Sequence, residues 1–191
     1  MKKIILASTS PRRTELLGKL GLKFTVVASD YEEDMSLKLK PVELAKYLSK
    51  GKAEAVKDKY KNHLIIAADS FVALKDELLG KPKNEKEAVL MLKKISDKMV
   101  YVITGYTILD SKTGKKISKA CVSKVFIKKL TETEIKNYVK TKEPLDKAGA
   151  FAIQGIGSII IKKFEGDFLG AMGLPLFDLA ESLKKFNVKI L

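Results

Sequence analysis

Short apolar runs and amphipathic stretches alternate along this chain of 191 residues. Unbroken or alternating apolar segments are typical of strands, and here they cover 4–7, 24–28, 64–68, 71–75, 100–109, 116–128 and 158–162. Apolar positions at helical spacing predict helices that begin at 11 and span 41–60, 84–95, 131–139 and 174–186. Strands and helices therefore alternate along the chain.

Three local patterns indicate the kind of sheet. The run 64–68 is apolar on both faces, as in a central strand covered by helices on either side. The segments 100–109 and 116–128 flank a turn and predict a β-hairpin. Thr131, with Glu134 three residues later, has the spacing of a capping box. We expect an α/β fold with a mixed, partly antiparallel sheet flanked by helices, in one domain over 1–191 or in two lobes sharing a core.

The formal net charge of +14 raises the question of nucleic acid. The lysines, however, are dispersed among acidic residues, tryptophan is absent, and no basic run is interleaved with aromatic side chains that could stack on bases. This pattern is typical of a solvated surface. The sequence therefore does not favour a dedicated nucleic-acid role.

The first residues of the chain bear on its location. The apolar run after Lys3 is too short for the core of a signal peptide. No apolar run reaches the length of a membrane span. We expect a cytoplasmic protein that makes no use of a membrane. The single cysteine, Cys121, lies in an alternating segment and is expected to be a strand residue.

The only two arginines, Arg12 and Arg13, are adjacent in a chain with thirty-five lysines. A guanidinium group is a planar fork that can grip phosphate through two parallel hydrogen bonds. Pro11 opens the predicted helix after the hydroxyl-rich turn 8–10, so both arginines fall in its first turn. Cations oppose the usual preference for acidic residues there, which a bound phosphate would explain. The alternative is a pair of surface charges matched by Glu15 or by other acidic residues.

Acidic residues follow two of the predicted strands. Asp69 is expected at the carboxyl end of the strand 64–68, where open α/β sheets place their ligand crevices. A carboxylate buried there needs a metal or a proton to move, although a turn or N-cap aspartate is the open alternative. Glu32, Glu33 and Asp34 by themselves indicate a solvated loop. If one of them reaches Asp69, the pair could hold Mg²⁺ or Mn²⁺.

Two lysines and one glutamine occupy notable positions. Lys81 lies in the constrained turn 80–82 and Lys52 on the predicted helix 41–60, but pattern alone makes each a surface charge. Glycines at 149, 155 and 157 surround Gln154 and indicate close approach to a ligand or to backbone. The Gln154 carboxamide could match the O4 and N3–H edge of uracil or thymine, or it could be an ordinary loop amide.

The commoner nucleotide-binding signatures are absent from the sequence, which has no Gly-Lys-Ser/Thr phosphate loop and no dinucleotide-binding glycine pattern. Six other segments occur in order across essentially the whole chain: 5–17 (ILASTSPRRTELL), 67–72 (AADSFV), 80–82 (GKP), 143–149 (EPLDKAG), 153–155 (IQG) and 173–176 (GLPL). In this order they resemble the Maf family of nucleoside triphosphate pyrophosphatases, in particular its dTTP/UTP pyrophosphatase-like subgroup.

The resemblance implies a Maf/ITPase-like α/β fold around a central nucleotide cleft, a divalent metal (Mg²⁺ or Mn²⁺) and a homodimer. It implies that Asp69 is the catalytic base and shares the metal with Glu33. It also assigns phosphate binding to a set of polar and basic residues: Ser8, Arg12, Arg13, Lys52 and Lys81. Ser70, which replaces a common threonine, and Gln154 match positions associated, like Arg12, with selection of dTTP and UTP.

The implied reaction is hydrolysis of dTTP and UTP, or of modified pyrimidine nucleotides, to a nucleoside monophosphate and pyrophosphate. Phe151-Ala152 replaces a common Tyr-Gly pair, and this departure bears on the fine selectivity for the base. The alternative function is a basic regulator that senses nucleotide or binds nucleic acid and acts in cell division and septum formation.

Overall fold

The computed structural model of the chain describes residues 2–34 and 37–191. Within them the strands are β1 (Lys3–Ala7), β2 (Phe24–Val27), β3 (His63–Leu74), β4 (Glu77–Leu79), β5 (Met99–Asp110), β6 (Lys116–Ile127) and β7 (Ile161–Glu165). The α-helices are α1 (Pro11–Gly18), α2 (Pro41–Val56), α3 (Glu85–Ile95), α4 (Glu132–Lys140), α5 (Phe168–Met172) and α6 (Leu176–Lys184). Short 3₁₀ turns cover Glu143–Asp146, Ala148–Ala150 and Gly155–Ile160.

The strands of the described residues form one seven-stranded mixed sheet in the order β2-β1-β3-β5-β6-β7, with β4 paired to β3. β1 runs parallel to both β2 and β3, whereas the β3–β4 and β6–β7 pairs are antiparallel. β5 and β6 are hydrogen-bonded neighbours joined by the short connection 111–115, as the hairpin prediction requires. The predicted α/β class and the mixed sheet are confirmed.

Local sequence signals account for several helix starts. Pro11 and Pro41 occupy the first turns of α1 and α2, where a missing backbone N–H costs nothing. The predicted capping box of α4 is complete, because Thr131 accepts from the Glu134 backbone and the Glu134 side chain accepts from Thr131. Ser10 holds the N-cap position of α1 as predicted, but its side chain makes no capping hydrogen bond.

The expectation that the central strand ends at Asp69 is wrong. β3 is continuous from His63 to Leu74 and passes straight through Asp69, because its far half pairs with β4 from Val72 to Leu74. Asp69 itself is only 5% exposed. A buried acid inside a strand needs a partner from elsewhere in the fold, which the local pattern could not show.

Other elements also differ from the prediction. α2 ends at Val56 rather than at 60. β7 begins three residues after the predicted strand start, because 155–160 form a 3₁₀ turn. The five-residue helix α5 is too short to show a periodic pattern and was not predicted. Its N-cap, Asp167, accepts a hydrogen bond of 2.9 Å from the Gly170 N–H.

The chain divides into two compact units, each built from separate segments of sequence. The first unit comprises Met1–Asp69, Thr104–Cys121 and Asp167–Leu191. One of its apolar clusters joins β1, β3, β5 and α2 through Ile5, Ala7, Ala53, Val56, Ile65, Ala67 and Leu109. At Gly105 a Cβ atom would lie 2.2 Å from the Ala45 carbonyl oxygen. Helix α2 therefore rests directly on the backbone of β5.

The second unit comprises Ser70–Ile103 and Val122–Gly166. Here α3 and α4 bury apolar side chains, among them Leu92 and Ile135. The buried Tyr138 hydroxyl accepts a hydrogen bond of 3.1 Å from the Ala152 N–H. This bond joins α4 to the loop that leads to Gln154.

Candidate active site

The turn from β1 into α1 places Ser8 next to Arg13. Ser8 is 7% exposed, and its Oγ accepts hydrogen bonds of 3.3 Å from the Ser10 N–H and 3.3 Å from Nη1 of Arg13. The Nε of Arg13 donates to the Gly173 carbonyl at 3.0 Å. The guanidinium is thus held from two sides. Sequence reasoning did not foresee the role of Gly173, which lies 160 positions away in the chain.

Opposing effects act on the Arg13 guanidinium. Burial lowers its pKa, and the nearby charge of Arg12 lowers it further, while Asp69 and Glu33 raise it. An arginine remains protonated at neutral pH despite such a shift. Glu15, the acid proposed as a surface partner of the arginines, instead forms an ion pair of 3.2 Å with Lys19. Glu15 is therefore not the partner of the arginines, whereas Asp69 and Glu33 act on the buried Arg13.

Lys52 links the two acidic positions singled out from the sequence. Its ammonium forms an ion pair with Asp69 Oδ1 and lies 2.6 Å from Glu33 Oε1. Lys52 is only 7% exposed, so the pattern-based reading of this lysine as a surface charge is wrong. Such a buried lysine is stable because two carboxylates compensate its charge. Asp69, Lys52 and Glu33 are hereafter called the acid–lysine cluster.

The carboxyl of Asp69 is perturbed by its surroundings. Burial raises its pKa above the ordinary value, the charge of Lys52 works in the opposite direction, and Glu33 raises it again. The net direction is upward. A carboxyl with a raised pKa accepts a proton more readily than a solvated aspartate does.

The family resemblance implies a divalent metal, for which Asp69 and Glu33 are the expected ligands. The oxygens of Asp69 and Glu33 converge on one ammonium, so they also face one point in space. Mg²⁺ is usually held by one or two carboxylates together with substrate phosphates. In residues 2–34 and 37–191 no group of three or more histidine, cysteine or acidic residues could form a complete metal cage. Two carboxylates are enough for a metal that also binds substrate phosphates, but the Lys52 ammonium occupies the point on which they converge.

The second unit carries the other residues predicted for the site. Ser70 follows Asp69 in β3 and is half-buried, whereas Lys81 and Gln154 are exposed. A backbone hydrogen bond of 2.9 Å from Gly149 to the Gly80 carbonyl ties the turn of Lys81 to the segment before Gln154. In the described part of the chain, no side-chain hydrogen bond joins Lys81 to Gln154.

Glu143 supports the loop of Gln154 and was not recognised as a functional candidate from sequence reasoning. Its carboxylate accepts from the Ile156 N–H at 3.1 Å and from the Gly157 N–H at 2.7 Å. Gly155 has a φ of +74°, and a Cβ there would lie 2.2 Å from Glu143 Oε1. The predicted close approach at Gly155 is thus an approach to a protein carboxylate. Glu143 lies 12 and 14 positions before Gly155 and Gly157, a spacing that gives no local signal, so only the fold reveals this contact.

This combination of a mixed α/β sheet, paired arginines at a helix start and a buried acid–lysine cluster is suited to a protein that handles anionic ligands. The chain belongs to the Maf family, because the family's sequence profile, described as Maf-like protein, matches residues 3–186. The resemblance seen in the sequence is confirmed. The described residues contain no helix long and apolar enough to cross a membrane.

Curated relatives align with the whole chain. A dTTP/UTP pyrophosphatase of Methanosarcina barkeri is 48% identical over 191 residues, covering 100% of this chain and 97% of the relative. A dTTP/UTP pyrophosphatase of Caldicellulosiruptor saccharolyticus is 46% identical over 195 residues, covering 100% and 98%. Among solved structures, a nucleoside-triphosphatase described as a dITP/XTP pyrophosphatase of Mycobacterium abscessus is 18% identical, with a TM-score of 0.46, covering 97% of this chain and 96% of that one.

Proposed function

We propose that this chain hydrolyses dTTP and UTP, and related modified pyrimidine nucleotides, to the nucleoside monophosphate and pyrophosphate. The acid–lysine cluster beside the arginine-bearing turn carries the proposal, because it supplies a poised carboxyl next to groups that bind phosphate. Full-length relatives at 48% and 46% identity with the name dTTP/UTP pyrophosphatase support the same reaction.

The triphosphate would lie along the turn from Ser8 to Arg13. The start of α1 offers unpaired backbone N–H groups and the positive end of the helix dipole. Arg12 and Arg13 add guanidinium charge at the same place, and Lys52 and Lys81 supply ammonium groups. These charges stabilise the pyrophosphate group as it leaves, which is the main task of a protein in phosphoryl chemistry.

Asp69 is the proposed general base. It takes a proton from a water molecule, the water oxygen bonds to the α-phosphorus, and the bond between that phosphorus and the pyrophosphate oxygen breaks. The raised pKa makes Asp69 a stronger base than a solvated aspartate. The Lys52 ammonium holds the carboxylate in one orientation before the reaction.

Asp69 and Glu33 are the proposed holders of Mg²⁺ or Mn²⁺. When bound, such an ion would neutralise phosphate oxygens near the scissile bond. Lys52 then has a second role, because it keeps two acidic side chains close together and offsets their mutual repulsion.

Gln154 is the proposed reader of the base, with Arg12 and Ser70 as further selectors. A carboxamide presents one acceptor and two donors, so it can pair with the O4 and N3–H groups of uracil and thymine. Hydrogen bonds hold the loop: Glu143 accepts from two of its backbone N–H groups, and Tyr138 accepts from the Ala152 N–H. Gln154 is therefore an exposed amide on a braced loop.

The test is a panel of normal and modified nucleoside triphosphates, supplied with Mg²⁺ or Mn²⁺ and again with a chelator. The expected products from dTTP and UTP are monophosphate and pyrophosphate, and they should be lost in Asp69→Asn. Asp76→Asn is the matched control, because Asp76 lies exposed in the turn after β3. Diphosphate and phosphate as products, or full activity in Asp69→Asn, would contradict the proposal.

Assembly and location belong to the same proposal. The family resemblance extends it to a cytoplasmic homodimer, for which light scattering in solution is the direct test. The family match and the relatives' names do not support the alternative of a nucleic-acid-binding regulator of septum formation. That alternative predicts salt-dependent nucleic-acid binding without turnover.

A further inference from the structure

The segment that carries Glu33 has no helix or strand of its own. Residues 28–34 follow β2 without regular secondary structure, yet the Glu33 carboxylate reaches the buried ammonium of Lys52 at 2.6 Å. The Glu33 side chain is itself 42% exposed, so burial does little to hold it. Something else must fix the backbone of residues 30–34, hereafter called the acidic segment.

A glycine in the middle of α2 contacts this segment. Gly51 lies in the interior of α2, where a glycine costs about 1 kcal/mol relative to alanine. A Cβ atom at Gly51 would lie 2.2 Å from Cζ of Tyr31 and 2.5 Å from both its Cε2 and its Oη. The Tyr31 ring thus occupies the space where any other residue would place its side chain.

A second contact holds the same ring on α2. Burial and the neighbouring Tyr47 raise the pKa of Tyr31, so the phenol lies close to Tyr47. Tyr47 is four residues before Gly51, so both lie on one face of α2. Tyr31 therefore rests in a shallow seat formed by Tyr47 and the bare backbone of Gly51.

Both residues of this contact lie close in sequence to residues of the acid–lysine cluster. Tyr31 is two residues before Glu33, and Gly51 is one residue before Lys52. Two contacts therefore fix one short segment on adjacent residues of α2, with Tyr31 against Gly51 and Glu33 against Lys52. Holding Tyr31 at Gly51 keeps Glu33 within reach of Lys52.

We propose that Tyr31 is a positioning residue that docks the acidic segment on α2 at Gly51, so that Glu33 is presented to Lys52 and Asp69. This inference rests on the proposed function, because Glu33 matters there as a holder of the divalent ion. It adds two residues, Tyr31 and Gly51, that touch neither phosphate nor base. It also explains why α2 keeps a glycine in its interior.

The decisive variant is Gly51→Ala. Its methyl group would occupy the space of the Tyr31 ring, and alanine also favours the helix. We expect unchanged or higher thermal stability but lower NMR order parameters for the backbone amides of residues 31–34. We also expect Mn²⁺ affinity and kcat/KM to fall 10- to 100-fold, the usual cost of losing a residue that orients a metal ligand. Gly18→Ala is the matched control, because no other group lies within 4 Å of the Cβ position at this glycine of α1.

Tyr31 variants test the same contact from the other side. Tyr31→Ala should reproduce the effects of Gly51→Ala, and the double variant should be no worse than either single one, because both remove one contact. Tyr31→Phe keeps the ring and should retain most of the Mn²⁺ affinity. Additive losses in the double variant would contradict a shared seat.

The order parameters decide the proposal without any turnover. Unchanged order parameters of residues 31–34 in Gly51→Ala would overturn it, as would lower order parameters with unchanged Mn²⁺ affinity and kcat/KM. If the native protein hydrolysed no nucleotide, the proposed function would fail, while the order parameters and Mn²⁺ binding would still decide the docking role of Tyr31.

Discussion

Lys52 and Asp69 form an ion pair in which the side chains are only 9% and 8% exposed. One lies on α2 and the other in the middle of β3, so the pair joins a helix to the central strand. Burial of two charges is tolerable only while each compensates the other. The pair therefore fixes the position of the Asp69 carboxylate and also changes its affinity for a proton.

Removal of the Lys52 ammonium should lower the stability of the folded protein. In Lys52→Met the carboxylate of Asp69 stays buried without its partner, and we expect a loss of about 3 kcal/mol in the free energy of unfolding at pH 7. The loss should shrink as the pH falls and Asp69 takes up a proton. Denaturant unfolding at several pH values measures it, with Lys50→Met, exposed on the same helix, as control. A pH-independent loss would contradict the role of the Asp69 charge.

Asp69→Asn should separate stability from activity. A carboxyl with a raised folded-state pKa contributes stability below its unfolded pKa, and that contribution is lost as the pH rises through the folded-state pKa. The unfolding free energy of the native protein relative to that of Asp69→Asn should therefore fall as the pH rises above about 4. Turnover should fall by about 10² or more. Unchanged turnover would exclude Asp69 as the base.

The acid limb of the activity profile offers a further check on Asp69. The pH dependence of kcat/KM reports the pKa values of essential groups in the free enzyme. Because the pKa of Asp69 is raised from 3.8, activity should begin to fall at a pH above that value as the solution is acidified. If the activity fell only at or below the ordinary pKa of an aspartate, the base would be another group.

The paired arginines should not tolerate lysine. In Arg13→Lys one ammonium replaces a fork that reaches both the Ser8 hydroxyl and the Gly173 carbonyl, so we expect weaker triphosphate use and lower stability. Arg12→Lys should weaken triphosphate use with little effect on stability. Steady-state kinetics and thermal unfolding of both variants distinguish these outcomes. Unchanged kinetics in both would remove the arginines from phosphate binding.

Base selection should depend on Gln154 and on its support. Gln154→Glu should reduce the preference for pyrimidines, because a carboxylate repels the O4 that an amide can bond. Glu143→Gln should weaken the same preference indirectly, because a side-chain amide cannot accept from both Ile156 and Gly157 with the same geometry. Competition between UTP and other triphosphates measures both. An unchanged substrate profile in Gln154→Glu would exclude it from base reading.

Local chemistry explains what the sequence predicted well. Pro11 opening a helix and the capping box of Thr131 and Glu134 depend on neighbours in the chain, and both are present in the fold. The central, doubly apolar strand is likewise a property of one segment.

Long-range contacts explain what the residue pattern missed. Lys52 is indistinguishable from surface lysines until α2 packs on the sheet and brings Asp69 and Glu33 to it. Only the family resemblance singled it out. The bond from Arg13 to Gly173 and the seat of Tyr31 on Gly51 also depend on segments far apart in the chain.

The most direct test of the central claim is hydrolysis of dTTP in ¹⁸O-labelled water, followed by mass spectrometry of the products. Attack of a water molecule activated by Asp69 at the α-phosphorus predicts one ¹⁸O atom in the thymidine monophosphate and none in the pyrophosphate. Label in the pyrophosphate, or release of diphosphate and phosphate, would contradict the account.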